Sequence, residues 1–462
     1  MSLPSTPPRL DAALRSVARR YLLPANATAF VHERQASPST ALAMAIERGR
    51  EMVARGEVPD AALEHVFLQA LAALIHEAMR PESGDPAFQA MVLRHRHAHV
   101  REYASLSAHA ARDRRRVHAG VNAIAHPAKR QRMPAGPERE ALAQLHAAAS
   151  CGRWSELWVA LQRLAVRGEA NDSSLARNAA RLLEAPALDH LRRLDALASD
   201  ELVRRYQSLW DGHGPRSGSA TAAARGLVSH RRGKTVEASA TRALEALASR
   251  LNEEEGAQSS YRVVTSMRVP PSIPASLERA KAEWDAVLLR QAGTVDASPA
   301  WDVCLLVEAK ASVDAATTDL PRLLRGLRLL AHAEENAVYP FETRQGEVRL
   351  RGASLRTLST DETSLARTVL YCCDAPAEAA PRLLSAASRM QLLSAQPCLA
   401  FASALAQRHR ADPLGLRPVW NDLLESTRWR GVLHQYPMLR QVRELMVHVE
   451  DLQAAAMPAD FG

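Results

Sequence analysis

Lysine is nearly missing from this chain: of its 59 basic side chains, only Lys129, Lys234, Lys281 and Lys310 are lysine. A bias of that size is what a GC-rich genome produces, where arginine drifts into any position that merely needs a cation. The lysines that remain merit individual attention, because an ammonium is a compact point charge that arginine does not replace. Long apolar runs are missing too. Nothing approaches the ~20 residues needed to cross a bilayer, so no membrane partner is expected. The five cysteines, Cys151, Cys304, Cys372, Cys373 and Cys398, contain no C-x-x-C pair, which argues against a disulfide framework or a Cys-rich zinc site. Aromatic content is only 4%, little support for a platform on which single-stranded bases stack. The chain has no Walker A loop, dinucleotide fingerprint, G-x-S-x-G elbow or H-E-x-x-H helix, so ATP-driven translocation and serine or zinc hydrolysis have no textual support. The opening MSLPSTPPRL has Pro and Ser where a signal peptide carries its apolar core, and a cytoplasmic location is expected.

What is present fits a folded protein of two or three domains: 462 residues, 47% hydrophobic and 24% charged. The net charge of +8 favours a polyanionic partner without naming one. From Pro8 to Trp210 the sequence is a succession of amphipathic helical segments, which predicts an all-α domain over residues 1–212. A Gly-, Ser- and Arg-rich stretch follows and reads as a linker, 213–232. The pattern then changes class. A helix from about Thr235 to Leu251 precedes strands at Tyr261–Val269, Trp284–Leu289 and Trp301–Lys310. A helix at Asp319–Ala333 and a strand at Arg367–Cys373 come next, with Cys398–Phe401 a candidate last strand. We expect a small mixed sheet flanked by helices over 233–405 and a helical extension over 406–462.

The third strand carries the chemistry. Five apolar residues, Val303 to Val307, lead into Glu308-Ala309-Lys310, and the two-residue period of a strand puts Glu308 and Lys310 on one face at its end. Asp285 opens the preceding strand. If the two strands form a hairpin, Asp285 lies near Glu308, and paired carboxylates with open positions suit Mg²⁺ or Mn²⁺. A lysine beside such a cation is the equipment of phosphodiester hydrolysis. Asp302 competes as the second acid but sits at the far end of its strand, about 20 Å from Glu308 by strand rise. The bland alternative is a surface ion pair at Glu308 and Lys310 with Asp285 a turn acid.

These residues resemble the PD-(D/E)xK phosphodiesterase superfamily, whose restriction-endonuclease-like fold places an acid before an E-x-K strand. The helix RGKTVEASATRALEALASRL resembles that family's opening helix, with Gly233 and Glu237 matching its G-x-x-x-E start. The resemblance covers roughly Gly233 to Cys373. It implies that Asp285 and Glu308 bind the metal, with the Ala309 carbonyl a further ligand, that Lys310 serves the water and phosphate, and that Glu237 assists. Trp284 stands where the family's name has proline, and the Q-x-x-x-Y pattern of its exonuclease branch is missing. The implied activity is an Mg²⁺- or Mn²⁺-dependent endonuclease. A member of the same fold that holds nucleic acid or protein without cutting is the alternative.

Two basic features extend that expectation. Arg322, Arg325 and Arg328 share one broad face of the Asp319–Ala333 helix, and LRHRHAHVREY, ARDRRRVHAG and AKRQRMP concentrate charge between Arg94 and Arg132, with Arg114, Arg115 and Arg116 at the centre. Either set fits a phosphate-tracking surface or a solvated helix face. Duplex DNA is the expected nucleic acid, and the N-terminal domain could also mediate self-association or recruit a protein partner.

Overall fold

A computed structural model of the chain describes residues 7–23, 37–169, 174–213, 220–256, 260–274, 278–295, 298–358, 360–377, 382–407 and 411–457. They fall into two units: residues 1–74, 217–392 and 416–462 form one, and 75–216 with 393–415 form the other. A helical region and a smaller sheet region are both present, as the sequence predicts, but the units do not follow the sequential division. The helix Pro8–Ser16 belongs with the sheet because it buries Leu10, Ala13 and Leu14 in the same core as Val449 and Leu452. The expected linker differs as well. Its second half is the start of a helix spanning Ala220–Glu255, whose opening is rich in alanine, the residue with the strongest intrinsic helical preference.

The sheet has seven strands: β1 (Tyr261–Arg268), β2 (Glu283–Val295), β3 (Ser298–Ala309), β4 (Val338–Thr343), β5 (Gly346–Arg351), β6 (Val369–Cys373) and β7 (Met446–His448). The order is β2-β1-β4-β5-β3-β6-β7, and an added β2–β3 pairing closes β2, β1, β4, β5 and β3 into a ring. β2 and β3 pair antiparallel from Val295–Ser298 to Ala286–Val307, the hairpin that the sequence predicts. β3 then runs parallel to β6 from Leu306–Val369 to Ala309–Cys372, across a connection that contains the helix Val313–Leu330. Along the chain the long helix, β1 to β3, the helix Val313–Leu330, the hairpin of β4 and β5 and then β6 follow one another, with β6 parallel to β3.

Both faces of this sheet are covered, which is why β3 reads as a continuous apolar run. One face packs Trp284, Val287 and Leu306 against Leu320, Leu323 and Leu327 of the helix Val313–Leu330. The other packs Ala286, Leu288, Leu305 and Val307 against Val236, Ala240, Leu244 and Leu247 of the long helix. The hairpin of β4 and β5 was not predicted, nor was β7. Cys398–Phe401 is not a strand: it lies within the helix Gln396–Ala406, whose first turn accommodates Pro397.

In the second unit, helices including Ala98–Ala125, Pro137–Ser150, Trp154–Glu169 and Pro186–Ala198 share a core of Val117, Val121, Leu145, Leu157, Leu161 and Leu188.

Two glycines test the helix packing in opposite directions. Gly326 lies where an added Cβ would come within 2.8 Å of the Lys281 Cβ and 2.9 Å of its carbonyl oxygen, whereas Gly233 has open space around it. Gly326→Ala is expected to lower stability by roughly 1–3 kcal/mol through overpacking. Gly233→Ala is expected to raise it by up to about 1 kcal/mol through helix propensity. Urea denaturation midpoints should move in opposite directions, and a shared direction would contradict this packing.

Candidate active site

The end of β3 places Glu308 in the interior, 0% exposed, on the face covered by the helix Val313–Leu330. Parity along the strand brings Lys310 to the same side, and the Lys310 amide donates to the Cys372 carbonyl of β6 at 2.9 Å. Asp285 arrives from β2 by the hairpin register. The Ala309 amide donates to its Oδ2 at 2.9 Å, and its own amide lies 3.4 Å from Glu308 Oε1. Asp285, Glu308, Ala309 and Lys310 are thus brought together. Lys310 Nζ is 3.2 Å from Glu308 Oε2 and 3.3 Å from Asp319 Oδ2, and the Tyr371 hydroxyl donates to the same Asp319 oxygen at 3.3 Å.

A second lysine also reaches the glutamate. Lys281, 5% exposed, places its ammonium 2.6 Å from Glu308 Oε2. Its backbone is strapped to the helix Val313–Leu330. The Lys281 amide donates to the Arg322 carbonyl at 3.2 Å, Arg325 Nε donates to the Arg279 carbonyl at 2.9 Å, and Gly326 leaves room for the close approach. Arg279 adopts φ +56°, a left-handed conformation that costs a non-glycine residue roughly 1–2 kcal/mol. Two of only four lysines in the chain therefore converge on one buried carboxylate. That scarcity was the sequence signal available for Lys281, and for Asp319 there was none.

Burial pushes the Glu308 carboxyl up to about 8 from an ordinary 4.5, the negative charge of Asp285 adds to the shift, and Lys281 and Lys310 oppose it without cancelling it. Burial works to lower the Lys310 pKa, but Glu308, Asp319 and Asp285 outweigh it and the net direction is upward. The Tyr371 hydroxyl is raised, first by burial and then by Asp319, so it stays protonated as a donor.

The other expected site residues stand apart. Glu237 is on the long helix beside a cleft of about 460 Å³ that is also lined by Lys234, Arg242, Thr265, Arg344 and Gln345, and no contact joins it to Asp285, Glu308 or Lys310 among the described residues. The helix packs on the opposite face of the sheet from Glu308, which separates them. Nor does Gly233 open a helix; it lies well inside one. Asp302 is accounted for by a bidentate pair with Arg351. Arg322, Arg325 and Arg328 are exposed on the helix Val313–Leu330, next to the residues that hold Lys281. Arg114, Arg115 and Arg116 are exposed in the second unit, between the buried Asp113 and Val117.

Whether this set suits a divalent cation turns on its donors. Among the described residues, no three His, Cys, Asp or Glu side chains are grouped to hold a metal ion. Asp285 and Glu308 do supply hard carboxylate oxygens, and among the described residues Glu308 Oε1 takes the long contact from the Asp285 amide, while Oε2 takes both lysines. In kind the donors fit Mg²⁺ or Mn²⁺. Comparisons with protein-family models, curated proteins and solved structures returned no match.

The raised Glu308 pKa has a consequence for stability. Between about pH 4.5 and 8, the metal-free folded protein holds a proton on Glu308 that the unfolded chain has released. Stability should therefore fall as pH rises through that window and level off above it. Lys310, raised from 10.5, contributes no slope there because its linkage is lost only above that pH. In chelator, urea denaturation of Glu308→Gln should lack the part of the pH 5 to 8 decline that wild type shows; identical slopes would contradict the assignment.

Proposed function

We propose that this protein is a divalent-metal-dependent phosphodiesterase of the PD-(D/E)xK type, an endonuclease acting on DNA in the cytoplasm. The observation that carries the reading is the meeting of Asp285, Glu308 and Lys310 at the end of β3, where β2 lies antiparallel on one side and β6 parallel on the other. The order of the long helix, β1 to β3, the helix Val313–Leu330 and β6 supports the reading, although the hairpin of β4 and β5 stands between that helix and β6 and closes β1 to β5 into a ring. Five unpaired cysteines, four of them buried, suit a reducing compartment, and no helix among the described residues is long and apolar enough to cross a membrane.

Asp285, Glu308 and the Ala309 carbonyl would hold the cation, which when bound supplies Lewis-acid polarisation of the phosphate and an activated water. The chain's own groups do the rest. Lys310 presents an ammonium held between Glu308 and Asp319, so its charge is fixed in place for a phosphate oxygen instead of being recruited from solvent. Tyr371 holds Asp319, and through it the lysine. Arg322, Arg325 and Arg328 line an exposed face from which a nucleic-acid backbone could be gripped. Glu237 has no part in this set as the residues are placed.

A second reading rests on Lys281. With two ammoniums already on Glu308, the site can be a retired one that stabilises a fold whose work is binding nucleic acid or protein. The two readings part on one experiment, incubation with supercoiled plasmid, linear duplex and single strands in Mg²⁺ or Mn²⁺. The nuclease reading expects cleavage by wild type, none in chelator, and at least roughly a hundredfold loss in Glu308→Gln and in Lys310→Met, the scale of removing one preorganised charge from a reaction centre. Glutamine is the cleaner change at Glu308, since alanine leaves the buried Lys281 ammonium without its partner while Lys310 keeps Asp319. Cleavage retained by either variant would sink the assignment, and salt-sensitive binding without cleavage in any divalent metal would favour the second reading.

The basic cluster of the helical unit gives an expectation of its own. Replacing Arg114, Arg115 and Arg116 together with alanine should weaken duplex binding across all sequences. The slope of log affinity against log salt should flatten by about 0.9 for each phosphate that is no longer neutralised. An unchanged slope would make them a solvated face only.

A further inference from the structure

We propose that Lys281 is a resident cation at the metal seat, competing with a divalent ion for Glu308 and thereby setting a weak metal affinity. This deepens the reading of Asp285 and Glu308 as metal ligands and rests on it. Lys281 lies outside the E-x-K triplet and precedes β2, so the motif gives it no role.

Three observations support the competition. The first is place: Lys281 Nζ sits 2.6 Å from Oε2 of a carboxylate that is 0% exposed, so any cation that engages Glu308 must share a dry site with that ammonium. The second is confinement. Many surface lysines can swing into water when a metal arrives, but Lys281 is itself 5% exposed, and its backbone is tied to the helix Val313–Leu330 through the Arg322 carbonyl and pressed against Gly326. The third is redundancy. Lys310 already pairs with Glu308 and is held in turn by Asp319, so Lys281 is not needed to keep the carboxylate partnered. A second ammonium held this firmly raises the threshold for metal entry beyond what one lysine sets.

The test is Mn²⁺ binding to the full-length protein, read as the loss of the free-ion electron paramagnetic resonance signal, with no nucleic acid present. Lys281→Met is expected to bind Mn²⁺ at least roughly tenfold more tightly than wild type. Adding Glu308→Gln to Lys281→Met should abolish the gain. If the methionine variant lacks the wild-type circular dichroism spectrum, Lys281→Gln takes its place, since its amide keeps a hydrogen bond to Glu308 without the charge. Equal or weaker binding in the neutral variant, binding in neither protein, or tighter binding that survives Glu308→Gln would each overturn the proposal. Cleavage assays run alongside separate the two ideas. Tighter Mn²⁺ binding in a protein that cuts nothing would uphold the competition and remove the nuclease, and cleavage with unchanged Mn²⁺ affinity would do the reverse.

Discussion

A carboxylate with no exposure to water must either keep its proton or be matched by positive charge at contact distance, because the interior supplies little solvation of its own. Glu308 is in that position, and much around it answers the demand. Lys281 and Lys310 approach the same oxygen, Asp319 balances Lys310, Tyr371 donates to Asp319, and Asp285 is held by the Ala309 amide. A chain of paired groups running from Lys281 through Glu308, Lys310 and Asp319 to Tyr371 is costly to assemble and costly to break. Removing Glu308 would strand Lys281, whereas a core of leucines in the same place would carry no such obligation. A purely structural sheet has no need of the arrangement, and that is the strongest physical argument for chemistry at this point.

The topology makes the convergence possible. β3 is covered on both faces and can emerge only at its end, so Glu308 and Lys310 mark the place where an apolar strand meets its first polar neighbours. The β2–β3 register carries Asp285 to that end, and the parallel pairing with β6 fixes the Lys310 backbone through Cys372. The helix Val313–Leu330 then closes the same face, bringing Asp319 from its middle and anchoring the Lys281 strap near Arg322. Earlier and later parts of the chain return to support the sheet: Leu10 and Leu14 from the first helix share a core with Leu452. The unit holding the site is therefore built from three stretches of chain.

How much of this the sequence revealed depends on range. The β2–β3 hairpin and the Asp285, Glu308 and Lys310 set were legible, since an alternating or apolar run and a two-residue period are local signals. Asp319 was hidden by a local signal that misled. Asp followed by Pro321 reads as the start of a helix, but the helix begins at Val313 with Ser312 capping the Ala315 amide, so Asp319 faces inward from its middle. Gly233 and Glu237 matched a motif whose meaning depends on where the helix begins, and the helix begins well before Gly233, at Ala220. β4 was obscured by Pro340, a residue that demotes a strand reading, and β7 is three residues long, too short to carry a period. Lys281 could be noticed only as rare, because its partner Glu308 lies far along the chain, across a turn and two strands.

Charge balance bears on what the site can hold. With all three carboxylates ionised, Asp285, Glu308 and Asp319 against Lys281 and Lys310 give −3 + 2 = −1, and with the proton kept on Glu308 the sum is zero. Neither state has the net positive charge that would draw a phosphodiester, whose own charge is −1. Two further positive charges, the charge of one divalent ion, bring the ionised site to +1 and the site with a phosphodiester to zero. A protein meant only to hold a nucleic-acid backbone here would do better with Glu308 or Asp319 neutral and the lysines free. Retaining three acids among two lysines makes sense where positive charge is to be supplied on demand, and that is the physical reason to prefer a metal-dependent reading over a lysine-lined binding surface.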